Sequence, residues 1–474
     1  MEGPGRQAVT GCDAGIGMRA GAPAGGAQVP GAEPPPSIAW RRLRGGLRAV
    51  ADVRDGEEGP LLRGMAFLFC VLAANYLVRP VRDEMGLAAG RAHLPALFLG
   101  TLAAMLVAAP MLSARLRRPG RPLLPAAVRA TQFVLVASFA AFWWILPEGH
   151  RPSARAFFVW ASVANLLAVS VAWGTLAGRF GNEPAHRLFG LIAAGGTLGA
   201  VAGSSLAGLL VARVGTVAPL LAAAVVLELG LMAARSLPRA DLNLGEARSG
   251  RDSQDHPAGP PRGRSPYPMG LGLWTLLFTS SSAVIYMEQA RIVDLAIGDA
   301  ASRAAFFARV DLYVNLLGLL LQVAVAGRVL AALGAGAATA MLPAVTLAGV
   351  VLLYLRPGLA TLQWFQVVRR GVDYAIARPG REVFCTVLGR DEMLRSKGLI
   401  DTAVYRAGDA AGAWAYGALA AMPALGPAAP LAIVPLSVGW IALSLALGRA
   451  MNRRLAADRD APSPATEAPA ESSP

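Results

Sequence analysis

From residue 64 to residue 450 the chain repeats apolar stretches of about twenty residues, each long enough to cross about 30 Å of hydrocarbon as a helix. No other feature constrains the fold as strongly. Inside a bilayer every backbone N–H and C=O must be satisfied within the segment, so runs of this length fold as membrane helices. The composition agrees: 55% of the 474 residues are hydrophobic and only 16% are charged. The expected class is an all-α polytopic membrane protein with twelve transmembrane helices in two six-helix bundles.

The spans are expected at 64–86, 94–114, 122–146, 154–178, 187–212 and 217–236, then at 269–292, 304–328, 336–355, 358–381, 398–421 and 428–450. This divides the chain into a tail with a basic amphipathic segment (1–60), a first bundle (61–236), a polar linker (237–268), a second bundle (269–450) and a C-terminal tail (451–474). Residues 1–36 are rich in Gly, Ala and Pro, carry no apolar h-region and read as disordered. In "SIAWRRLRGGLRAVADV", Trp40, Leu43, Leu47 and Val50 oppose Arg41, Arg42, Arg44 and Arg48, a pattern for a helix lying on an anionic membrane or capping the bundle.

Net charge is +14, and Lys397 is the only lysine. A basic soluble domain would point to nucleic acid, but here the arginines sit mostly in loops, and no nucleic-acid partner is expected. With both termini inside, the inner segments hold roughly 28 basic residues and the outer ones about 10, which predicts an inner-membrane protein with cytoplasmic termini. Cys12, Cys70 and Cys385 have no metal spacing and predict no disulfide. There is no G-x-x-x-x-G-K-[ST] loop and the four His are scattered, which argues against an ATP-driven pump or a metalloenzyme; no cofactor is expected.

The halves echo each other. "GGTLGAVA" (195–202) and "GDAAGAWA" (408–415) occupy corresponding spans, and Gly195, Gly199 and Gly203 let helices approach closely. Such duplication is the plan of transporters that rock two bundles about a midplane site.

Charges inside the spans mark where that site could lie, since each costs about 2.5–3.5 kcal/mol at a helix centre. Asn75, Arg79 and Arg82 share a face of span 1 with Asp83, unless they are simply the wet end of that helix. Span 7 carries Glu288, Gln289 and Arg291; span 8 carries a stripe of Asp311, Asn315, Gly318 and Gln322. In span 10, Gln366, Arg370 and Asp373 share a face, while Arg369 and Asp373 are spaced as an i, i+4 pair. Span 11 carries Asp401 and Tyr405, and Arg406 stands three residues before Asp409. Any one of these is an ordinary structural ion pair. Together they predict a polar path with surplus positive charge, suited to an anionic small molecule, because arginine forks match phosphate and carboxylate. Glu228 stands alone and reads as a residue at the lipid edge or a proton-carrying carboxylate, the former favoured.

Several stretches resemble the nucleotide transporter family that includes the ATP/ADP antiporters of plastids and intracellular bacteria. They are "RPVRD" (79–83), "WG" (173–174) with "EPAHRLFGL" (183–191), "ARPGRE" (377–382), "SKGLID" (396–401) and "RAGD" (406–409). The resemblance spans roughly residues 60–450 and implies a major-facilitator fold and binding of nucleotide phosphates. Carried over residue by residue, it implies roles for Arg79, Arg82, Asp83, Arg381, Glu382, Lys397 and Asp401. Arg82, Arg381 and His186 stand at family lysine positions, and Asp409 reverses the sign of another. The function implied is secondary transport of an organic anion, a nucleotide first, by exchange or cation-coupled uptake. The alternatives are a facilitator for a small carboxylate or phosphorylated metabolite, and a non-transporting platform or sensor.

Overall fold

The helices follow the apolar runs closely. The computed structural model describes residues 53–54, 57–116, 125–177, 179–180, 182–237, 266–388, 390–423 and 426–459. The amphipathic stretch before residue 50, the middle of the linker and the side chains of 183–187 lie outside these. The first half comprises α1 (Glu58–Ala88), α2 (Leu94–Leu116), α3 (Pro125–Ile145), α4 (Arg151–Ala177), α5 (Asn182–Arg213) and α6 (Ala218–Arg235). The second opens with α7 (Tyr267–Ala296) and α8 (Ala300–Leu321), where Asp299 caps α8 by accepting from the Ser302 N–H at 2.7 Å. A π turn, Gln322–Ala326, then leads into α9 (Gly327–Leu355). Within α9 the helix breaks at Gly334, whose φ of 75° only glycine adopts without strain.

The next two crossings are interrupted. α10 (Leu359–Val372) passes through a π turn, Asp373–Ala377, into α11 (Arg378–Cys385). α12 (Arg390–Leu399) passes through another, Ile400–Val404, into α13 (Tyr405–Ala420); α14 (Ile433–Arg459) closes the fold. Among the described residues, nine continuous stretches are long and apolar enough to cross a membrane, and one of them, Ala300–Leu355, contains two crossings. The two remaining crossings, α10–α11 and α12–α13, are the ones that carry π turns and charges. Widened turns of this kind concentrate at functional sites.

The outer surface is apolar. Val323, Met269, Trp144 and Phe133 are all more than two-thirds exposed, as lipid-facing side chains are and as a water-soluble monomer would avoid. Glu228 is exposed on this surface beside Val225 and Leu229.

Lipid tails are as apolar as leucine, so the helices are held by close packing rather than by exclusion of water. Glycines set the closest approaches, and they do so twice. A methyl at Gly199 would overlap the Phe69 backbone and one at Gly203 the Ala73 backbone, so α5 lies directly on α1. Gly412 bears in the same way on the Ser280 backbone, and Gly408 on the Leu276 carbonyl and Thr279, which seats α13 on α7. The echo between the two sequence motifs is therefore an echo in packing: the fifth helix of each half lies on the first.

The described residues form one compact unit. The halves meet where α5 packs on α8, α2 on α13 and α1 on α8. One end of the bundle holds Glu58, Arg235, Tyr267 and Arg459, and is here called the near end; Ala88, Arg213, Ala296 and Ala420 reach the far end. The apolar core that unites both halves lies towards the far end, with Leu77, Val81 and Met85 of α1, Phe157 of α4, Ile285 and Val293 of α7, and Phe307 and Val314 of α8. Towards the near end, the core cluster around Trp274, Phe384 and Trp440 belongs to the second half alone.

Candidate functional site

Charges from both halves converge midway along the seam. Asp311 of α8 is 2% exposed and accepts from Arg370 Nη2 of α10 at 2.6 Å. Its other oxygen, Oδ2, lies 3.5 Å from Nε of Arg79 on α1. Both of these facing atoms are buried and lack a hydrogen-bond partner. Arg79 Nη1 donates to the Tyr374 hydroxyl at 3.4 Å, and Arg370 approaches the same oxygen at 3.5 Å. The Arg378 guanidinium stacks over the Tyr374 ring at 4.4 Å while donating to Asp373 at 3.2 Å. Arg79 also sits 5.8 Å from the centre of the Tyr76 ring, so two tyrosines flank it.

Two departures from regular helix lie beside this convergence. Pro80 lacks an N–H, so the helix around Arg79 loses the bond to the Tyr76 carbonyl. The π turn at Asp373–Ala377 adds a residue to one turn and shifts the register of the faces beyond it. Asp373 consequently pairs with Arg378 and not with Arg369. Arg369 is 4% exposed and donates to Thr346 at 3.1 Å and Ser282 at 2.8 Å, with the Phe278 ring at 6.0 Å. Gln366, expected on the face of Arg370, bonds Gln289 of α7. Around Tyr374, therefore, three guanidiniums meet two carboxylates, and the buried Arg369 adds a cation held by hydroxyls.

The stripe on α8 divides along the seam. Asn315 donates to Ser204 of α5 at 3.1 Å, across the halves, and Gln322 donates to the freed carbonyl of Tyr374 at 3.4 Å.

The other expected site residues gather elsewhere. Toward the far end, Arg82 grips Asp83 through Nε at 3.0 Å and Nη2 at 2.6 Å, and Tyr286 of α7 donates to Asp83 at 3.2 Å. Beyond them Glu84, fully buried, accepts from Arg303 of α8 through both Nε (2.8 Å) and Nη2 (2.6 Å). Arg91, in the turn before α2, reaches Asp294 in the last turn of α7 at 3.8 Å. Asp83–Tyr286, Glu84–Arg303 and Arg91–Asp294 all tie the first half to the second, and all lie at the far end. Glu288 is there too, bonded by Arg291 at 2.6 Å and by the Tyr416 hydroxyl at 2.7 Å. It lines a far-end cavity of about 1170 Å³ together with Arg91, Arg291, Asp294 and Tyr354. This cavity lies away from the Arg79 cluster.

At the near end of the second half, Arg381 lies 3.4 Å from Asp401 and 3.6 Å from Glu382, and Lys397 bonds Glu382 at 2.5 Å. These four join α11 to the α12 region and neutralise one another. Arg406 donates to Asp409 at 3.1 Å within α13, as their spacing predicts. Asn75 lines a small cavity inside the first half with Asn165, Leu135, Phe139 and Leu227. The structure thus unites Arg79, Asp311, Arg370 and, through Arg378, Asp373. It places Arg82, Asp83 and Glu288 toward the far end, Asn75 in a small cavity of the first half, and the other expected residues in local ion pairs.

Sequence reasoning passed over Tyr374, Tyr76, Arg378, Glu84 and Arg303 as site residues. Signals existed for two of these: Glu84 adjoins Asp83, and Arg303 opens a span that needs no charge. Among the described residues no group of three or more His, Cys, Asp or Glu could hold a metal ion, and Cys70 and Cys385 are free thiols.

No family model matches the chain, and no curated protein matches its sequence. Solved structures do share its fold. A variant of the nucleoside transporter NupG aligns over 84% of this chain and 99% of its own with a TM-score of 0.54 at 12% identity. A D-xylose-proton symporter aligns over 83% and 95% with a TM-score of 0.54 at 11% identity. At such identities the likeness is one of fold: this is an all-α, multi-pass membrane protein with the twelve-helix, two-bundle architecture of the major facilitator type.

Proposed function

We propose that the chain is a secondary transporter that carries an organic anion by alternating access, binding it between Arg79 of the first half and Arg370 of the second. The observation that supports this most is the surplus of guanidinium over carboxylate around Tyr374 at the seam. A buried charge is costly, so arginines beyond the number of carboxylates call for an anion from outside. Arginine forks favour a phosphate monoester or a carboxylate.

The surplus is small, which favours a compact dianion over a triphosphate. A nucleotide therefore enters the reading as a monophosphate. The family-type residues Arg381, Glu382, Lys397 and Asp401 are mutually paired, which weighs against ATP/ADP exchange.

In this reading the near end faces the cytoplasm, following the arginine-rich loops, and the two bundles comprise residues 61–236 and 269–450. The cross-half bonds and the shared core towards the far end support a seam held shut beneath the far-end cavity, a state closed to the outside.

The test is uptake of labelled adenosine monophosphate, ADP, ATP, inorganic phosphate and succinate into proteoliposomes holding the purified protein. Saturable uptake of a phosphate monoester or dicarboxylate, competed by its unlabelled form, is the expected result. Indifference to all five would instead support the non-transporting platform.

A further inference from the structure

We propose that Asp311 is a resident counter-anion, standing in for the substrate's headgroup when the carrier is empty, so that the empty protein can reorient and the chain supports net flux without obligatory exchange. This rests on the anion-carrier reading above.

Alternating access must pass through a state in which the centre is closed at both ends and short of water. Two guanidiniums facing each other there would repel strongly in a low dielectric, and each would lose its hydration. A carrier whose centre held arginines alone could close only with an anion bound, and would be confined to exchange. Here the compensation is built into the chain. Asp311 lies between Arg79 and Arg370, on a helix that packs against both α1 and α10.

The two sides of Asp311 are held differently, and that difference makes it replaceable. Oδ1 is bonded to Arg370 at 2.6 Å, whereas Oδ2 faces Arg79 Nε at 3.5 Å with neither atom hydrogen-bonded. On the Arg79 side the internal anion is held by charge alone. An incoming phosphate or carboxylate oxygen at Arg79 gains a hydrogen bond that Asp311 does not supply, while Arg370 keeps its own. The neighbouring Arg378–Asp373 pair is already neutral and takes no part in the exchange of partners.

The test follows the empty carrier directly. With Cys12, Cys70 and Cys385 replaced by serine, spin labels are placed at His93→Cys and Leu295→Cys, both exposed at the far end and on different halves. Distances are then measured by pulsed electron resonance in nanodiscs without added anion. The expected result is two distance populations in the parent and loss of one in Asp311→Asn. Both should return in the double variant Arg79→Gln/Asp311→Asn, which restores the local charge and which a merely structural role for Asp311 would not rescue. Two populations in empty Asp311→Asn, or a single one in the empty parent, would overturn the proposal.

Flux provides the second arm. Proteoliposomes loaded with labelled adenosine monophosphate should empty into anion-free buffer for the parent, and only into buffer containing that nucleotide for Asp311→Asn. A variant that still empties into anion-free buffer sinks this inference while leaving the carrier reading intact. If neither adenosine monophosphate, phosphate nor succinate raises the melting temperature of the parent, the carrier reading falls and this one with it.

Discussion

Nε of Arg79 and Oδ2 of Asp311 face each other at 3.5 Å across the seam between the two halves, and neither atom is hydrogen-bonded. This relationship distinguishes the midpoint of the seam from the ion pairs around it. Asp83, Glu84, Glu288, Asp373 and Asp409 each accept a hydrogen bond from a nearby arginine. Those pairs are closed. The Arg79–Asp311 contact is held open on one side, where an anion from outside would complete it.

Charge selectivity should follow from the small positive surplus around Tyr374. Extra phosphates beyond a dianion would be left near Asp311 and Asp373 without partners, at a cost of about 1–2 kcal/mol, roughly tenfold or more in affinity. Thermal-shift titration should therefore rank adenosine monophosphate above ATP. Equal affinity for the two would place the binding groups elsewhere. Asp409→Asn should not relax this preference, because Asp409 is engaged with Arg406. It should instead lower the melting temperature by leaving that arginine uncompensated.

The far-end closure should depend on Glu84 and Arg303. Glu84 is fully buried and bonded twice, so Glu84→Gln removes the carboxylate that Arg303 grips and should cost about 1.5–3 kcal/mol of the closed state. Reagents added from the far side should then reach an introduced cysteine at Tyr286 faster than in the parent. Unchanged labelling would show that the pair does not hold this end shut.

Glycine substitutions should reveal the duplicated packing. Gly199→Ala and Gly412→Ala each push a methyl into the backbone of the first helix of their half, and should each destabilise by about 1–3 kcal/mol. Gly208→Ala, whose methyl would lie 3.7 Å from Ala308, should be tolerated. Melting temperatures of the three variants check this, and equal behaviour of all three would contradict it.

The group Arg381, Glu382, Lys397 and Asp401 should behave as a structural latch. These side chains are partly exposed and paired among themselves, so each pair contributes about 0.2–1 kcal/mol. Arg381→Gln should leave anion affinity within about twofold and lower the melting temperature only slightly. A loss of binding comparable to that of an Arg370 variant would return these residues to the site, as the nucleotide-transporter resemblance implies.

The spans were legible because the bilayer allows few alternatives: long apolar runs with satisfied backbones must be helices. The repeat of Gly199 and Gly412 was legible as well, since small residues recur wherever two helices touch closely. Local pairs such as Arg406–Asp409 and Glu288–Arg291 could be read from a spacing of three. The convergence of Arg79, Asp311 and Arg370 could not, because each lies on a different helix and only the docking of the halves brings them together. The partners of Asp373 were misread for another reason. A period of 3.6 pairs Arg369 with Asp373, but the helix widens at Asp373, which then takes Arg378 and leaves Arg369 to Ser282 and Thr346. Tyr374 was overlooked because its role depends on arginines from both halves.

The most direct test of the account is the affinity of the purified protein for adenosine monophosphate, measured by calorimetry in the parent and in Arg79→Gln, Arg370→Gln and Arg381→Gln. A hydrogen bond between charged groups contributes about 1.5–3 kcal/mol, so the account predicts losses of roughly ten- to a hundredfold for Arg79→Gln and Arg370→Gln, and almost none for Arg381→Gln. Binding at parental affinity in both the Arg79 and Arg370 variants would contradict it.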